Sequence, residues 1–313
     1  MILETQDPAA PLEALRARLA TIIAIPVTPF RDDGGVDWDN HAALIRRLIE
    51  HGVDVITPNG NTGEFYTLTD AETRRAVESA VAAADGRAEV IAGVGLDVER
   101  AVLAARHARE SGASSVMVHQ PVHPYRSAEG WIEYHRSIAD AVPELGVVLY
   151  VRDPRISGEQ IRALGEHSPN VIGVKYAVPD PVHFAGVARD AGLRRFVWIA
   201  GLAELSAPGY WAVGATGFTS GLVNVVPSLA TALLQSLRGG DFEKAMAAWE
   251  SARSFEELRA ADASADNVSV VKEALAQLGL SGRAVRPPSR ELPQELREQI
   301  AGLIERWRQE GRL

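Results

Sequence analysis

The sequence predicts a parallel (β/α)8 barrel followed by a helical extension, and three observations carry that prediction. Eight short runs rich in Val and Ile recur along the chain up to residue 220 without strict alternation, as strands buried on both faces do. Helical periodicity fills the gaps between them, which argues for a parallel sheet, and eight strands are the number that closes a barrel. After residue 228 the strand signals stop and only helical patterns follow.

The strand runs are residues 21–26 (TIIAIP), 53–58 (VDVITP), 89–95 (EVIAGVG), 115–120 (SVMVHQ), 146–151 (GVVLYV), 171–177 (VIGVKYA), 196–201 (FVWIAG) and 215–220 (ATGFTS). An open doubly wound sheet is the competing arrangement. It would want a Gly-x-Gly-x-x-Gly turn after the first strand, and residues 28–34 read TPFRDDG. Between the strands, residues 39–51 place Ala42, Ile45 and Ile49 on one helical face. Residues 69–84 open with a capping box from Thr69 and Glu72. Residues 98–110 and 129–141 keep the same 3.6 period. Gly52, Gly112, Gly146 and Gly192 stand at or just past the expected helix ends. The connection between the seventh and eighth strands is short. Residues 229–238, 242–260, 268–278 and 293–309 read as helices, with Pro293 suited to a first turn. The expected division is an N-terminal extension over 1–20, the barrel over 21–238 and a helical extension over 239–313.

Composition narrows the function classes. The 313 residues are 46% hydrophobic and 23% charged, the profile of a soluble globular chain long enough to bury its core without staples. There is no cysteine, which excludes disulfides, thiolate nucleophiles, Cys-ligated zinc and iron–sulfur clusters. The net charge of −9 argues against a nucleic-acid-binding surface. No apolar run approaches the ~20 residues of a membrane span, and the N-terminal residues lack the apolar stretch of a secretory signal. A cytoplasmic protein with no nucleic-acid or membrane partner is expected.

Only three lysines occur, Lys175, Lys244 and Lys272, and the last two fall in the predicted helical extension. Functional residues of a parallel barrel gather at the C-terminal ends of its strands. Lys175 lies there, inside an apolar strand. It is either paired with a carboxylate or stripped of water so that its neutral amine attacks a ketone and forms a Schiff base. Tyr150 ends the preceding strand. Its phenol can shuttle protons at an imine, or it packs its ring and points its hydroxyl at water. Residues 60–65, GNTGEF, form either an anion-holding turn or an ordinary one. Arg155, five residues after Tyr150, can clamp a carboxylate, a role for which Arg152 competes. His119 and Glu64 are scattered and form no metal set. No metal is expected.

In combination, PVTPF (26–30), GNTGEF (60–65), a strand ending in Tyr150, GVK ending in Lys175 and GATGFTSGLVNVVP from Gly214 resemble the dihydrodipicolinate synthase/N-acetylneuraminate lyase family. The resemblance spans residues 22–310 and includes VVKEALAQLGL and RPP (286–288). It implies a (β/α)8 barrel with a C-terminal helical extension, a homotetramer (dimer of dimers), no cofactor, and condensation, cleavage or dehydration of 2-oxo acids through a lysine Schiff base. Carried across, Lys175 is the expected Schiff-base lysine and Tyr150 the proton-shuttling tyrosine. Thr62, with Asn61 and Gly63 beside it, is expected to hold the 2-oxo acid carboxylate, and Arg155 a further carboxylate. Gly201 and Thr219, at the seventh and eighth strands, complete the candidate substrate-binding set.

The departures from the family pattern are specific. Asn61 replaces the first of two adjacent threonines, and an amide cannot pass a proton as a hydroxyl can. Val151 follows Tyr150 where Asn is usual, and Tyr176 follows Lys175 where an acid is usual. The loop expected to donate an aromatic hydroxyl across a subunit interface reads QPVHPYRS. It puts His123 at or near that position and Tyr125 two residues on. His123 either touches substrate hydroxyls, serves as acid or base, or faces solvent. The expected function is therefore a class I lyase of a 2-oxo acid, with dehydration of a deoxy-oxo-sugar acid favoured over pyruvate-releasing aldol cleavage. The alternatives are a barrel enzyme of another class that binds phosphate at GATGFTSG, and a non-catalytic sugar-acid-binding protein.

Overall fold

The computed structural model describes residues 10–313; the rest of the expected N-terminal extension lies outside the described residues. Eight parallel strands close into a barrel in chain order. They are β1 (Ile22–Ala24), β2 (Val55–Ile56), β3 (Glu89–Val94), β4 (Ser115–Val118), β5 (Gly146–Val151), β6 (Val171–Tyr176), β7 (Val197–Ala200) and β8 (Gly217–Ser220). A helix precedes the barrel, α1 (Ala10–Arg18). One follows each strand: α2 (Trp38–Glu50), α3 (Asp70–Ala84), α4 (Val98–Ser111), α5 (Ala128–Ala141), α6 (Gly158–His167), α7 (Pro181–Ala191), α8 (Ala203–Ala212) and α9 (Pro227–Arg238). Beyond them α10 (Phe242–Ser264), α11 (Asn267–Gln277) and α12 (Gln294–Gln309) form the helical extension, with α10 laid against α8 and α9.

The strands sort their side chains into two cores. Ala24, Ile56, Ala92, Val116, Leu149, Val174 and Trp198 face the helices. Ile23, Val55, Ile91, Met117, Val148, Ile172 and Val197 fill the barrel, and Leu15 and Leu19, at and just beyond the end of α1, join them. The expected strands 21–26 and 53–58 shorten to three and two residues, because Pro26 and Pro58 have no N–H to give the ladder. The buried stripe of α2 is His41, Leu44, Ile45 and Leu48, one step round from the expected face. A histidine supplies part of it, with Nδ1 2.9 Å from Ser79 Oγ. The capping box of Thr69 and Glu72 forms as expected. Gly52, Gly112 and Gly192 all have positive φ at helix ends, whereas Gly146 does not end a helix. It opens β5, where a Cβ would lie 2.5 Å from Ile172 Cδ1 and 2.8 Å from Ser115 Oγ.

One irregularity decides where Lys175 points. Val147 pairs with Val171 but Val148 pairs with Gly173, so β6 carries one extra residue against β5. Ile172 faces the barrel interior. So does position 173, where a Cβ would meet the interior side chains Val197 and Val148. With two consecutive positions inside, the alternation changes phase. Val174 turns outward and Lys175 turns inward, level with Tyr150 of β5. Strict alternation from Ile172 would have sent the lysine into the helical layer.

Candidate active site

Lys175 is buried, and its Nζ lies 4.1 Å from the centroid of the Tyr150 ring. Burial pushes the amine down to about 7, helped by the positive charges of Arg152 and Arg259, and no carboxylate opposes the shift. About half the amine is then neutral at pH 7, against roughly 0.03% for a lysine titrating near 10.5. Burial acts in the other direction on the Tyr150 phenol and raises its pKa, so the phenol is a proton donor at neutral pH. Asn61 Nδ2 donates to the Tyr150 hydroxyl at 3.1 Å. Asn61 Oδ1 is buried and has no partner among the described residues.

The turn over residues 60–65 is a rigid floor. Gly63 and Glu64 donate their N–H groups to the carbonyls of Gly60 and Asn61, and Thr28 Oγ1 donates to the Gly63 carbonyl at 2.7 Å. A Cβ on Gly60 would lie 2.4 Å from Ile25 Cγ2, so the turn packs onto β1 only because that position is glycine. Glu64 takes a left-handed backbone and its carboxylate accepts from Lys272 Nζ and from the Arg286 N–H. Lys272, expected to stand apart in the helical extension, is thus a second buried amine in this region. Its carboxylate partner favours the ammonium form and opposes the burial that lowers its pKa to about 8.

Behind Tyr150, His119 stacks on Phe65 with ring centroids 4.3 Å apart and meets the Tyr150 ring edge-on at 5.8 Å. Its Nε2 donates to the Asn59 carbonyl at 2.8 Å, and burial pushes its pKa down to about 3. His119 is therefore a neutral wall of the site, a role its sequence position does not announce.

Outside lies a vestibule of about 510 Å³ lined by Tyr66, Gln120, Arg126, Arg152, Asp153 and Arg155 among others. Asp153 accepts from Arg126 at 2.8 Å and from Arg155 at 2.7 Å. Three guanidinium groups against one carboxylate leave this mouth cationic. Arg155 and Arg152 both line it, so the two compete in space as they do in sequence.

The remaining expected residues separate. Thr62 and Thr219 are buried at the strand ends, and Thr219 pairs in register with the interior residue Ile23. Gly201 donates its N–H to the Tyr176 carbonyl at 2.7 Å and packs so closely on Ala177 that a Cβ would lie 2.8 Å from it. His123 does not line this pocket. It is exposed, with Nδ1 2.7 Å from the Tyr125 carbonyl, and Tyr125 is 84% exposed. The glycines of GATGFTSG serve close packing: a Cβ would lie 2.4 Å from the Thr21 carbonyl at Gly217 and 2.3 Å from Arg259 Nη2 at Gly221. That use removes support for a phosphate cradle there. Sequence reasoning missed Arg259, buried 3.4 Å from Thr62 Oγ1, since an arginine in a long helix carries no signal of inward direction. Among the described residues no cluster of three or more His, Asp or Glu is arranged to hold a metal ion, and no helix is long and apolar enough to cross a membrane.

Comparison with known proteins gives a consistent neighbourhood. Residues 18–307 match the model of the dihydrodipicolinate synthetase family. A 4-hydroxy-tetrahydrodipicolinate synthase of Gluconobacter oxydans is 35% identical over 88% of this chain and 92% of its own length. A probable 5-dehydro-4-deoxyglucarate dehydratase of Methylobacterium radiotolerans is 30% identical over 94% of this chain and 97% of its own. Among solved structures, dihydrodipicolinate synthase from Bacillus clausii superposes with a TM-score of 0.91 at 39% identity, covering 94% of this chain and 99% of that one.

Proposed function

We propose that this chain, which belongs to the dihydrodipicolinate synthetase family and is a lyase of the 2-oxo acid, Schiff-base type, uses Lys175 as its nucleophile and Tyr150 as its proton shuttle to dehydrate a deoxy-oxo-sugar acid. The observation that carries the reading is the unpaired Lys175 amine, turned into the barrel by the β6 bulge and set 4.1 Å from the Tyr150 ring. In the first step the amine nitrogen attacks the keto carbon. One of the amine's two protons passes to the carbonyl oxygen to give a carbinolamine. The Tyr150 phenol gives its own proton to that hydroxyl so that it leaves as water, and a protonated imine remains beside a phenolate that takes up the proton the adjacent carbon next releases. The imine then draws electrons from the adjacent carbon, which gives up a proton. The enamine expels the hydroxyl one carbon further along, and that hydroxyl takes a proton as it departs as a second water. Hydrolysis of the unsaturated imine frees the product and restores the amine.

Dehydration is favoured over condensation by Asn61. Its amide holds the Tyr150 hydroxyl but cannot pass a proton onward, and its unpartnered Oδ1 suits a hydroxyl of a sugar-derived acid. The cationic vestibule of Arg126, Arg152 and Arg155 suits a second carboxylate at the far end of that acid, as the name of the Methylobacterium radiotolerans relative also suggests. The enzyme is proposed to be a cytoplasmic homotetramer, a reading supported by family resemblance and by the exposed Val122 and Tyr125 on the loop after β4.

The test is a screen of 2-oxo-3-deoxy sugar acids, scored for water loss against pyruvate release, together with borohydride trapping and mapping of the modified peptide. Water loss with the adduct on Lys175 is expected. Pyruvate release would replace dehydration by aldol cleavage. An unmodified Lys175 in folded protein would remove the reading.

A further inference from the structure

Arg259 belongs to α10, 197 residues from Thr62, and is buried. Its guanidinium makes four hydrogen bonds. Nη1 donates to Glu256 at 2.6 Å, Nε to the Asn267 carbonyl at 3.3 Å, and Nη2 to Asn267 Oδ1 at 3.2 Å and to Thr62 Oγ1 at 3.4 Å. Two features mark a constructed seat. The end of β8 is bare at Gly221, where a Cβ would lie 2.3 Å from Nη2. The chain also leaves helical geometry at Ala261 and takes left-handed φ at Asp262, Ala263 and Ser264, which returns Asn267 to the guanidinium. Non-glycine residues rarely hold such backbone unless their surroundings impose it.

We propose that Arg259 is a positioning residue that orients the Thr62 hydroxyl toward the carboxylate of the 2-oxo acid. The inference rests on the reading of Lys175 as nucleophile. A threonine hydroxyl has one proton to give. Because Thr62 Oγ1 accepts from a cation behind it, that proton is directed forward, to the mouth where Lys175 waits. A donor polarised by a guanidinium binds an anion more strongly than a free hydroxyl, and a low-dielectric surrounding strengthens the chain. Charges facing Arg259 come from Glu256 on its own helix, from Glu204 on α8 and from Lys175 on β6. Glu204 lies buried against Ser220 of β8, whose hydroxyl donates to it at 2.5 Å. Glu256 is the carboxylate that pairs with the cation.

The experiment measures borohydride trapping at Lys175 with two carbonyl probes, pyruvate and acetaldehyde, the second lacking a carboxylate. In R259M the pyruvate concentration for half-maximal trapping is expected to rise roughly 10- to 100-fold, the worth of one charge-assisted hydrogen bond. Arg259 is one of the cations that hold the Lys175 pKa down, so its removal weakens both probes by a common factor; acetaldehyde trapping measures that factor and falls much less than pyruvate trapping. T62V shows the same selective loss, and R259M/T62V loses no more than either alone, because the two act as one unit. A structural role would weaken both probes equally. Should R259M fail to fold, R259M/E256Q removes both buried charges at once and is expected to show the same split between probes. Equal pyruvate trapping in folded R259M, parallel loss of both probes, or fully additive single variants would each overturn the inference while leaving Lys175 in place. Wild-type protein not trapped at Lys175 would overturn both.

Discussion

Gly173→Ala tests the link between fold and chemistry directly. The added methyl would lie 2.7 Å from Val197 Cγ1, 3.4 Å from Val148 Cγ2 and 3.4 Å from the Val197 carbonyl. Carbon atoms in contact settle about 3.5–4.0 Å apart, so the first approach is nearly an ångström too close. Val197 and Val148 are interior residues, 4% and 1% exposed, with no room to withdraw. Overpacking of this kind costs about 1–3 kcal/mol, which large domains register as roughly 2–4 °C of Tm per kcal/mol. The strand escapes the clash by surrendering its bulge, and that turns Lys175 away from Tyr150. Trapping of the pyruvate adduct is expected to fall about 100-fold, the usual consequence of misplacing a reacting group by ~1 Å. Intact-mass kinetics of borohydride trapping and a thermal melt read the two effects on the same sample. In G173A/V197A the offending methyl is removed and trapping is expected to recover. If G173A melts and traps as wild type does, the bulge does not aim the lysine.

Trapping at Lys175 should follow the neutral amine. With the folded pKa pushed down to about 7, the rate falls about tenfold per pH unit below the midpoint and levels above pH 8; a midpoint near 10 would show a solvated lysine. The same depression makes the residue costly in the acid range. The unfolded chain keeps its proton up to about 10.5 while the folded chain releases it near 7, so stability contributed by this position rises with pH between those values. K175M is therefore expected to melt above wild type at pH 6 and by a smaller margin at pH 10, measured by calorimetry. K272M leaves the Glu64 carboxylate buried and unpaired and is expected to cost about 3–5 kcal/mol in denaturant unfolding, with K272M/E64Q recovering part of the loss. Y150F removes the phenolic proton and should lower kcat by about 100- to 10,000-fold, with the Lys175 adduct still forming slowly.

The barrel was legible because its strands are apolar on both faces and its helices are punctuated by caps and glycines, signals local to a few residues. What escaped was set by partners distant in sequence. The inward turn of Lys175 depends on a bulge that only the pairing of β6 with β5 creates. Gly146 looked like a helix stop, yet it is glycine to make room for Ile172 and Ser115. His41 hid part of the α2 stripe because burial, which holds its pKa down to about 4, is invisible in a residue counted as polar. In the site, Lys175, Tyr150 and Thr62 stood out by residue type at strand ends. Arg259 and Lys272 did not, since cations in amphipathic helices read as solvated surface until the fold shows what lies over them.

The two buried lysines differ in the physical term that sets the protonation of the amine. Both lose hydration on burial, and both sit on an aromatic face, Lys175 4.1 Å from the Tyr150 centroid and Lys272 4.0 Å from that of Phe30. A ring face favours the ammonium by about 0.5–2 kcal/mol, on the order of one pKa unit. That contribution acts on both residues and separates neither. Lys272 also has the Glu64 carboxylate and the Ala284 carbonyl as acceptors, and these hold its proton on the nitrogen at neutral pH. Among the described residues no acid acts on Lys175, and its charged neighbours Arg152 and Arg259 are both cations. Desolvation there meets no opposing ion, so it prevails over the ring face and frees the lone pair. The sign of the nearest charge is what suits Lys175 to the proposed attack on a keto carbon, while Lys272 anchors the turn over residues 60–65.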